Sequence, residues 1–355
     1  MSSDESITDS VARLKNQIEA SEAVTVSIAL FGRTGAGKSS LINRLMGKNL
    51  ARVGASTDTT VDASTFQWNG VHLVDLPGFD TARFPKETFW ERFNLDSFDI
   101  FLCVFSDKFG SAESDFFLKL RQKKRTCLFV RNKADQVCDT SGERSTNELY
   151  GEIEKDVARQ VLEPTRVHFT SCATGAGLAE LSDAISKALP KAKQERWIES
   201  AKAYSREFLA AKEELCKKKV RLYAGLCAAN AINPVPGVDV AVDLSILVAM
   251  MKAIRNAYGL SDQSILKAKE LGIPAIAQLA NNVVRYGTRE GAVYLLQRFM
   301  GREITKEVAK YIPLVGQIVA ASAGFGITLQ AGGTYLADCH GIAGEILSRE
   351  LAFRA

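Results

Sequence analysis

The sequence predicts an α/β domain with a mostly parallel sheet, joined to an all-α domain made from an N-terminal helix and the C-terminal half. Three observations lead there. Apolar strand-like runs alternate with helical patterns from Val24 to Leu189, the pattern of a parallel sheet covered on both faces. A glycine-rich loop, Gly32 to Ser39, lies between the first of these strands and a helix. Beyond Pro190 strand signals stop and helical patterns fill the chain. The expected divisions are 1–21 for the helix that packs with the C-terminal part, 22–190 for the α/β domain and 191–355 for the helical domain.

The 355 residues are enough for two cores. A hydrophobic fraction of 46% beside 24% charged residues is that of a globular protein, and a net charge of +4 does not argue for nucleic acid. Seven cysteines stand singly with no C-x-x-C spacing, so neither a zinc site nor a disulfide framework is predicted. The acidic start from Ser2 to Asp9 has no apolar signal-peptide core, and Ser2 in place of glycine speaks against N-myristoylation. A cytoplasmic protein is the expectation.

In chain order, Val11, Leu14 and Ile18 fall at helical spacing over Thr8 to Ala20, with Asp9 or Ser10 as cap. Val24 to Phe31 is the first strand. Leu41, Ile42 and Leu45 mark a helix that Met46-Gly47 closes, and a polar segment follows from Gly54 to Asp62. Ser64 to Trp68 and Val71 to Val74 form a hairpin across Asn69-Gly70. Ile100 to Phe105, Thr126 to Arg131 and Val167 to Thr170 are further strands, with a helix around Phe116 to Leu120. Lys191 to Lys219 reads as one long charged helical pattern, ending in the basic cluster Lys217 to Arg221. Ala224 to Ala231, Val238 to Ile254 and Ile273 to Val284 are apolar helices, and Tyr311 to Ala337 carries no charge. A weak echo relates Asn233–Val238 to Ile312–Gln317, proline and glycine preceding an apolar helix in each.

Gly32, Arg33, Thr34, Gly35, Ala36, Gly37, Lys38 and Ser39 fit G-x-x-x-x-G-K-[ST], followed by Ser40. Glycines let the backbone curl around a polyphosphate, so that N–H groups and the first helical turn point at anionic oxygens. Lys38 would reach the β/γ-phosphates and Ser39 would ligate Mg²⁺. Asp75-Leu-Pro-Gly78 follows a strand, unlike the other D-x-x-G matches at Asp139 and Asp338. There Asp75 would hold Mg²⁺ through water and the Gly78 N–H would sense the γ-phosphate. Asn132-Lys133-Ala134-Asp135 occurs once, after a strand. Asp135 would accept from the N1–H and exocyclic amine of guanine, a donor pair adenine lacks on that edge. Lys133 would lie over the ring, and Asn132 would tie the base loop to the phosphate loop. Ser171-Cys172-Ala173 resembles the S-A-K segment in which a backbone N–H meets the guanine carbonyl, with Cys172 and Ala173 in place of Ala and Lys.

In this order and spacing the motifs over residues 22–190 resemble the Ras-like translation-factor class of GTPases. The segments NPVPGVDVAVDLSILVAMMKAIRNAYGLSD and YIPLVGQIVAASAGFGITL look like the helical domain of the immunity-related, interferon-inducible GTPases, which have bacterial relatives. That resemblance implies GTP and GDP as nucleotides, Mg²⁺ as the metal, and an N-terminal helix packed with a C-terminal bundle beside the GTPase domain. Ras-like enzymes place a water-orienting glutamine after the D-x-x-G glycine, whereas this chain has Phe79. The immunity-related family shares that replacement, which implies activation by contact between nucleotide-bound protomers, a homodimer or oligomer. Thr60 is the candidate switch threonine on Mg²⁺, with Thr59 its rival. Arg33 is read as a solvated or ion-paired side chain, the other reading being transition-state charge supplied in cis. Phe84, Phe89, Trp90 and Phe93 are expected to pack beneath a long loop, the alternative being a surface exposed by nucleotide state.

Tyr311 to Ala337 exceeds the roughly 20 residues that a spanning helix needs, yet Pro313, Gln317, Gln330 and its glycines suit a buried helical hairpin. Asp239 and Asp243 would be expensive in lipid. Peripheral membrane contact stays open through Lys217 to Arg221, whose bland reading is a solvated helix end. Two other functions compete with a self-associating GTPase: a ribosome- or RNA-associated switch GTPase, and a nucleotide-binding scaffold with negligible turnover. The low charge speaks against the first, whereas Phe79 is what suggests the second.

Overall fold

Six consecutive apolar residues, Ile100–Phe105, are all buried and form strand β4 at the middle of a sheet. A strand covered on both faces needs such a run. The computed structural model describes residues 7–51, 63–79, 84–139, 141–232, 239–270, 273–299 and 315–353. In it β4 pairs in parallel with β1 (Val26–Phe31) on one side and β5 (Cys127–Arg131) on the other. The six strands run in the order β2-β3-β1-β4-β5-β6, with β2 (Ser64–Trp68) antiparallel to β3 (Val71–Asp75) at one edge and β6 (Val167–Phe169) at the other. Asn69 and Gly70 both have positive φ, 47° and 79°, which the tight β2–β3 turn requires.

The chain divides into two compact units, one on Val24–Ser205 and the other on Met1–Ala23 with Arg206–Leu351. In the first, α2 (Lys38–Met46), α3 (Lys86–Arg92), α4 (Ser111–Gln122), α5 (Thr146–Val161), α6 (Leu178–Ala188) and α7 (Lys191–Ser200) accompany the sheet. One of its cores is aromatic. Phe31 meets Phe116 edge-on at 4.5 Å, and Phe79, Phe84, Phe89 and Trp90 are buried in the same cluster, with Phe93 packed against it. The aromatic residues after Gly78 therefore pack inward.

The second unit comprises α1 (Ile7–Ala23), α8 (Arg206–Ile232), α9 (Asp239–Ala257), α10 (Asp262–Glu270), α11 (Pro274–Tyr286), α12 (Arg289–Phe299) and α13 (Val315–Ala352). Val11, Leu14 and Ile18 of α1 pack on a core that includes Tyr223, Met250, Ile254, Val283 and Tyr335. No helix among the described residues is long and apolar enough to cross a membrane.

Four sequence expectations change. The boundary between units falls after Ser205 rather than Pro190, because α7 belongs to the first unit: Trp197 is fully buried and its indole donates to the Ser182 carbonyl at 3.1 Å. The long charged pattern from Lys191 is two helices, since the Lys202 N–H leaves the helix to donate to Leu45 O at 2.9 Å. The basic cluster is no helix end. It lies inside α8, where Lys217 pairs with Glu213 at 3.0 Å and Glu214 at 2.8 Å. Finally, Val315–Ala352 is one continuous helix of 38 residues, not a hairpin. Gly332 within it serves close packing: a Cβ there would come within 2.7 Å of Val220 and 2.8 Å of Met250, whereas Gly326 and Gly333 meet nothing within 4 Å. Most of the two proline–glycine segments that echo each other lies outside the described residues.

Candidate nucleotide site

β1 ends at Phe31, and the chain turns at Gly32 with φ 134° into the loop that precedes α2. A Cβ on Gly32 would sit 1.9 Å from the Val104 carbonyl oxygen of neighbouring β4, so only glycine lets the loop leave the sheet here. Arg33, Thr34 and Gly35 are exposed, Ala36 is buried, and Gly37 starts α2 at φ 87°. Lys38 is buried, its ammonium donating to the carbonyls of Gly32 at 2.9 Å and Arg33 at 3.4 Å. The loop is thus wrapped around its own cation. Ser40 is half-buried in the first turn of α2.

Parallel pairing sets β3 directly beside β1, with Leu30 opposite Asp75, and so brings Asp75 to the phosphate loop. Ser39 Oγ donates to Asp75 Oδ2 at 3.1 Å, and the Lys38 ammonium lies 3.6 Å from Oδ1. Oδ1 is buried and accepts no hydrogen bond. Burial pushes the Asp75 carboxyl above its ordinary value, against the lowering influence of Lys38 and Ser39. A hydroxyl beside a buried carboxylate with a free oxygen is a hard-oxygen donor set that fits Mg²⁺, which characteristically takes one or two protein ligands and completes its shell with phosphate and water. Gly78 is exposed just after this strand, and Phe79 turns inward, 5.2 Å from Phe89 and 4.7 Å from Phe116. Thr59 and Thr60 lie outside the described residues.

The base loop begins where β5 ends. Asn132 is 1% exposed; its N–H donates to Phe105 O at 2.8 Å, and its side-chain amide donates to Ala36 O at 2.9 Å. Lys133 adopts the left-handed conformation at φ 56°, which sharply turns the chain and leaves Asp135 exposed. Ala134 N–H donates to Thr170 O at 3.0 Å, joining this loop to the one after β6. There Ser171 is buried and its hydroxyl accepts from Thr174 N–H at 3.1 Å. Burial pushes the Cys172 thiol up to about 11, so it is neutral at physiological pH. Ala173 is exposed.

The fold therefore brings the phosphate loop, Asp75, Asn132–Asp135 and Ser171–Ala173 together at the C-terminal ends of parallel strands, where open α/β sheets bind ligands. A profile of the family described as Interferon-inducible GTPase (IIGP) matches residues 2–285. The chain belongs to the interferon-inducible GTPase family. Interferon-inducible GTPase 5 of Bos taurus is 24% identical over 348 residues, covering 90% of this chain and 74% of that protein. Interferon-inducible GTPase 1 of Mus musculus is 24% identical over 271 residues, 69% of this chain and 63% of that protein. GTPase Der of Bartonella bacilliformis is 30% identical over 183 residues, 48% of this chain and 35% of that protein. As a member of the interferon-inducible GTPase family the protein is a GTPase.

Arg33 meets a buried acid rather than the loop interior. Its side chain, 62% exposed, lies 3.5 Å from Glu113 at the start of α4, whose own side chain is 4% exposed. The ion-pair reading of Arg33 thus describes its position in this interferon-inducible GTPase. Sequence reasoning missed Glu113, Thr170 and Arg44. A glutamate in a first helical turn and an arginine on an amphipathic helix carry no signal of their own, because contacts across the fold define them.

Proposed function

We propose that this interferon-inducible GTPase binds GTP with Mg²⁺, hydrolyses it slowly as a monomer, and is activated when nucleotide-bound protomers associate. The observation that carries the reading is Phe79. Its ring is packed against Phe89 and Phe116, so the position after Gly78 offers no side chain to orient water, and a second protomer completes the site. Lys38, centred among loop carbonyls, is placed to neutralise charge on the β/γ-phosphates. Ser39 and Asp75 would hold Mg²⁺, which when bound supplies further neutralisation of the phosphate oxygens. Asp135 selects guanine by accepting from its N1–H and exocyclic amine. Water then attacks the γ-phosphate in line, and the Gly78 N–H senses that group.

The test is GTP hydrolysis measured against protein concentration, with light scattering recorded in parallel. Turnover per protomer should rise with concentration together with scattering. A rate per molecule that stays constant over the micromolar range overturns activation by association, and negligible turnover at every concentration leaves a nucleotide-binding scaffold instead.

A further inference from the structure

The loop that would meet the guanine carbonyl lacks the family-typical lysine and presents only Cys172 and Ala173, so its backbone must do the recognition. Three successive carbonyls of that loop are engaged within the protein. Ser171 O accepts from Gly175 N–H at 2.8 Å, Cys172 O from Arg44 Nε at 2.6 Å, and Ala173 O from Arg44 Nη2 at 3.2 Å. No peptide bond described is cis, and in a trans peptide the N–H points opposite to the C=O. Holding the Ser171 and Cys172 carbonyls therefore turns the Cys172 and Ala173 N–H groups the other way. Among the described residues neither of these N–H groups donates to a protein acceptor. The result is a pair of adjacent donors beside the base loop that are available to an electronegative oxygen.

We propose that Arg44 is a positioning residue for guanine recognition: from the helix that follows the phosphate loop, its guanidinium holds the Cys172 carbonyl and so aims the Ala173 N–H of the same peptide at the base carbonyl, while Gly175 holds the peptide that carries the Cys172 N–H. The planar fork matters, since one guanidinium spans two consecutive carbonyls in a fixed plane, which a lysine ammonium cannot do. Arg44 is itself held, because the Tyr204 hydroxyl donates to its backbone carbonyl. The same side chain ties the phosphate end of the site to the base end. Cys172, neutral as a thiol, brings no charge that would repel the carbonyl.

This inference rests on the guanine reading of Asp135 and Ser171–Ala173, and the experiment separates the two. The full chain and its Arg44→Ala and Arg44→Lys variants are titrated with GDP, with the analogue of GDP in which sulfur replaces the ring carbonyl oxygen, with inosine diphosphate and with ADP. Sulfur is a weak acceptor, so that analogue reports the carbonyl contact, while inosine lacks the exocyclic amine and reports Asp135. In Arg44→Ala the affinity for GDP should fall about tenfold. The preference for GDP over the sulfur analogue should shrink toward one, while the preference over inosine diphosphate stays at its wild-type value. Arg44→Lys should recover part of the lost preference, and a wild-type melting curve for that variant keeps the result readable if Arg44→Ala unfolds. An unchanged sulfur ratio overturns the proposal, and so does a parallel loss of both ratios, which would mean general loosening. A wild-type protein that binds ADP as well as GDP overturns the guanine reading and this proposal with it.

Discussion

The side-chain amide of Asn132 donates to the carbonyl of Ala36 across 2.9 Å, so the base loop and the phosphate loop are joined by one buried bond. Removing it leaves the Ala36 carbonyl without that donor. Asn132→Ala should weaken GDP binding by roughly 10- to 100-fold, the equivalent of a buried hydrogen bond and its unpaired partner. A titration with a fluorescent guanine nucleotide checks this, and wild-type affinity would show that the two loops hold their places independently.

Gly35 and Gly37 share a left-handed backbone, with φ 86° and 87°, yet differ in what a side chain would meet. A Cβ on Gly35 finds nothing within 4 Å, whereas one on Gly37 would lie 2.3 Å from Asn132 Nδ2. Asn132 is short and pinned at both ends, so it cannot yield. Gly35→Ala should cost the nucleotide-free protein only backbone strain of about 1 kcal/mol. Gly37→Ala adds a clash and should lower the melting temperature clearly more. Equal melting temperatures for the two variants would contradict the geometry.

Legibility in the sequence followed the range of the interactions. Strands such as Ile100–Phe105 and the Asn69-Gly70 hairpin declare themselves because burial on both faces and positive φ each demand particular residues locally. The phosphate loop and Asn132–Asp135 could be read for the same reason. The break between α7 and α8 could not, because the charged pattern is alike on both sides and the Lys202 N–H is drawn off by Leu45, far away in sequence. The unbroken course of α13 was hidden too. Of the glycines that suggest a turn in sequence, Gly332 is instead a place where Val220 and Met250 come close. Arg44 belongs with these cases, since its partners are backbone carbonyls 128 and 129 positions away.

Asp75 should make the nucleotide-free protein pH-sensitive. Burial raises its folded-state pKa above the ordinary 3.8, so between that value and the raised one the folded state binds more protons than the unfolded. Stability contributed by this group is therefore present below the ordinary value and lost as pH rises through the folded one. Asp75→Asn removes the buried charge, so it should flatten that part of the stability-versus-pH curve and raise the melting temperature at neutral pH. The same variant should lose Mg²⁺-dependent nucleotide affinity. Chemical denaturation across pH, with and without Mg²⁺ and GDP, separates the effects; a less stable variant at neutral pH would mean that the Lys38 pairing outweighs desolvation.

Phe79 stands where a glutamine would orient water, and the direct experiment is to install one. The ring lies in a cluster with Phe89 and Phe116 and is only 9% exposed, so the backbone at this position aims its side chain at the core. A glutamine following that path would forfeit aromatic packing, a loss of about 3–5 kcal/mol for large-to-small changes at such sites, and would bury an amide without a partner. Phe79→Gln should therefore melt well below the wild type and gain no turnover at low protein concentration. Phe79→Leu, which keeps an apolar side chain, should lose less stability and retain the concentration-dependent rate. A stable Phe79→Gln protein that hydrolyses GTP faster as a monomer would show that the side chain can swing out toward the phosphates, and that the aromatic cluster does not hold this segment.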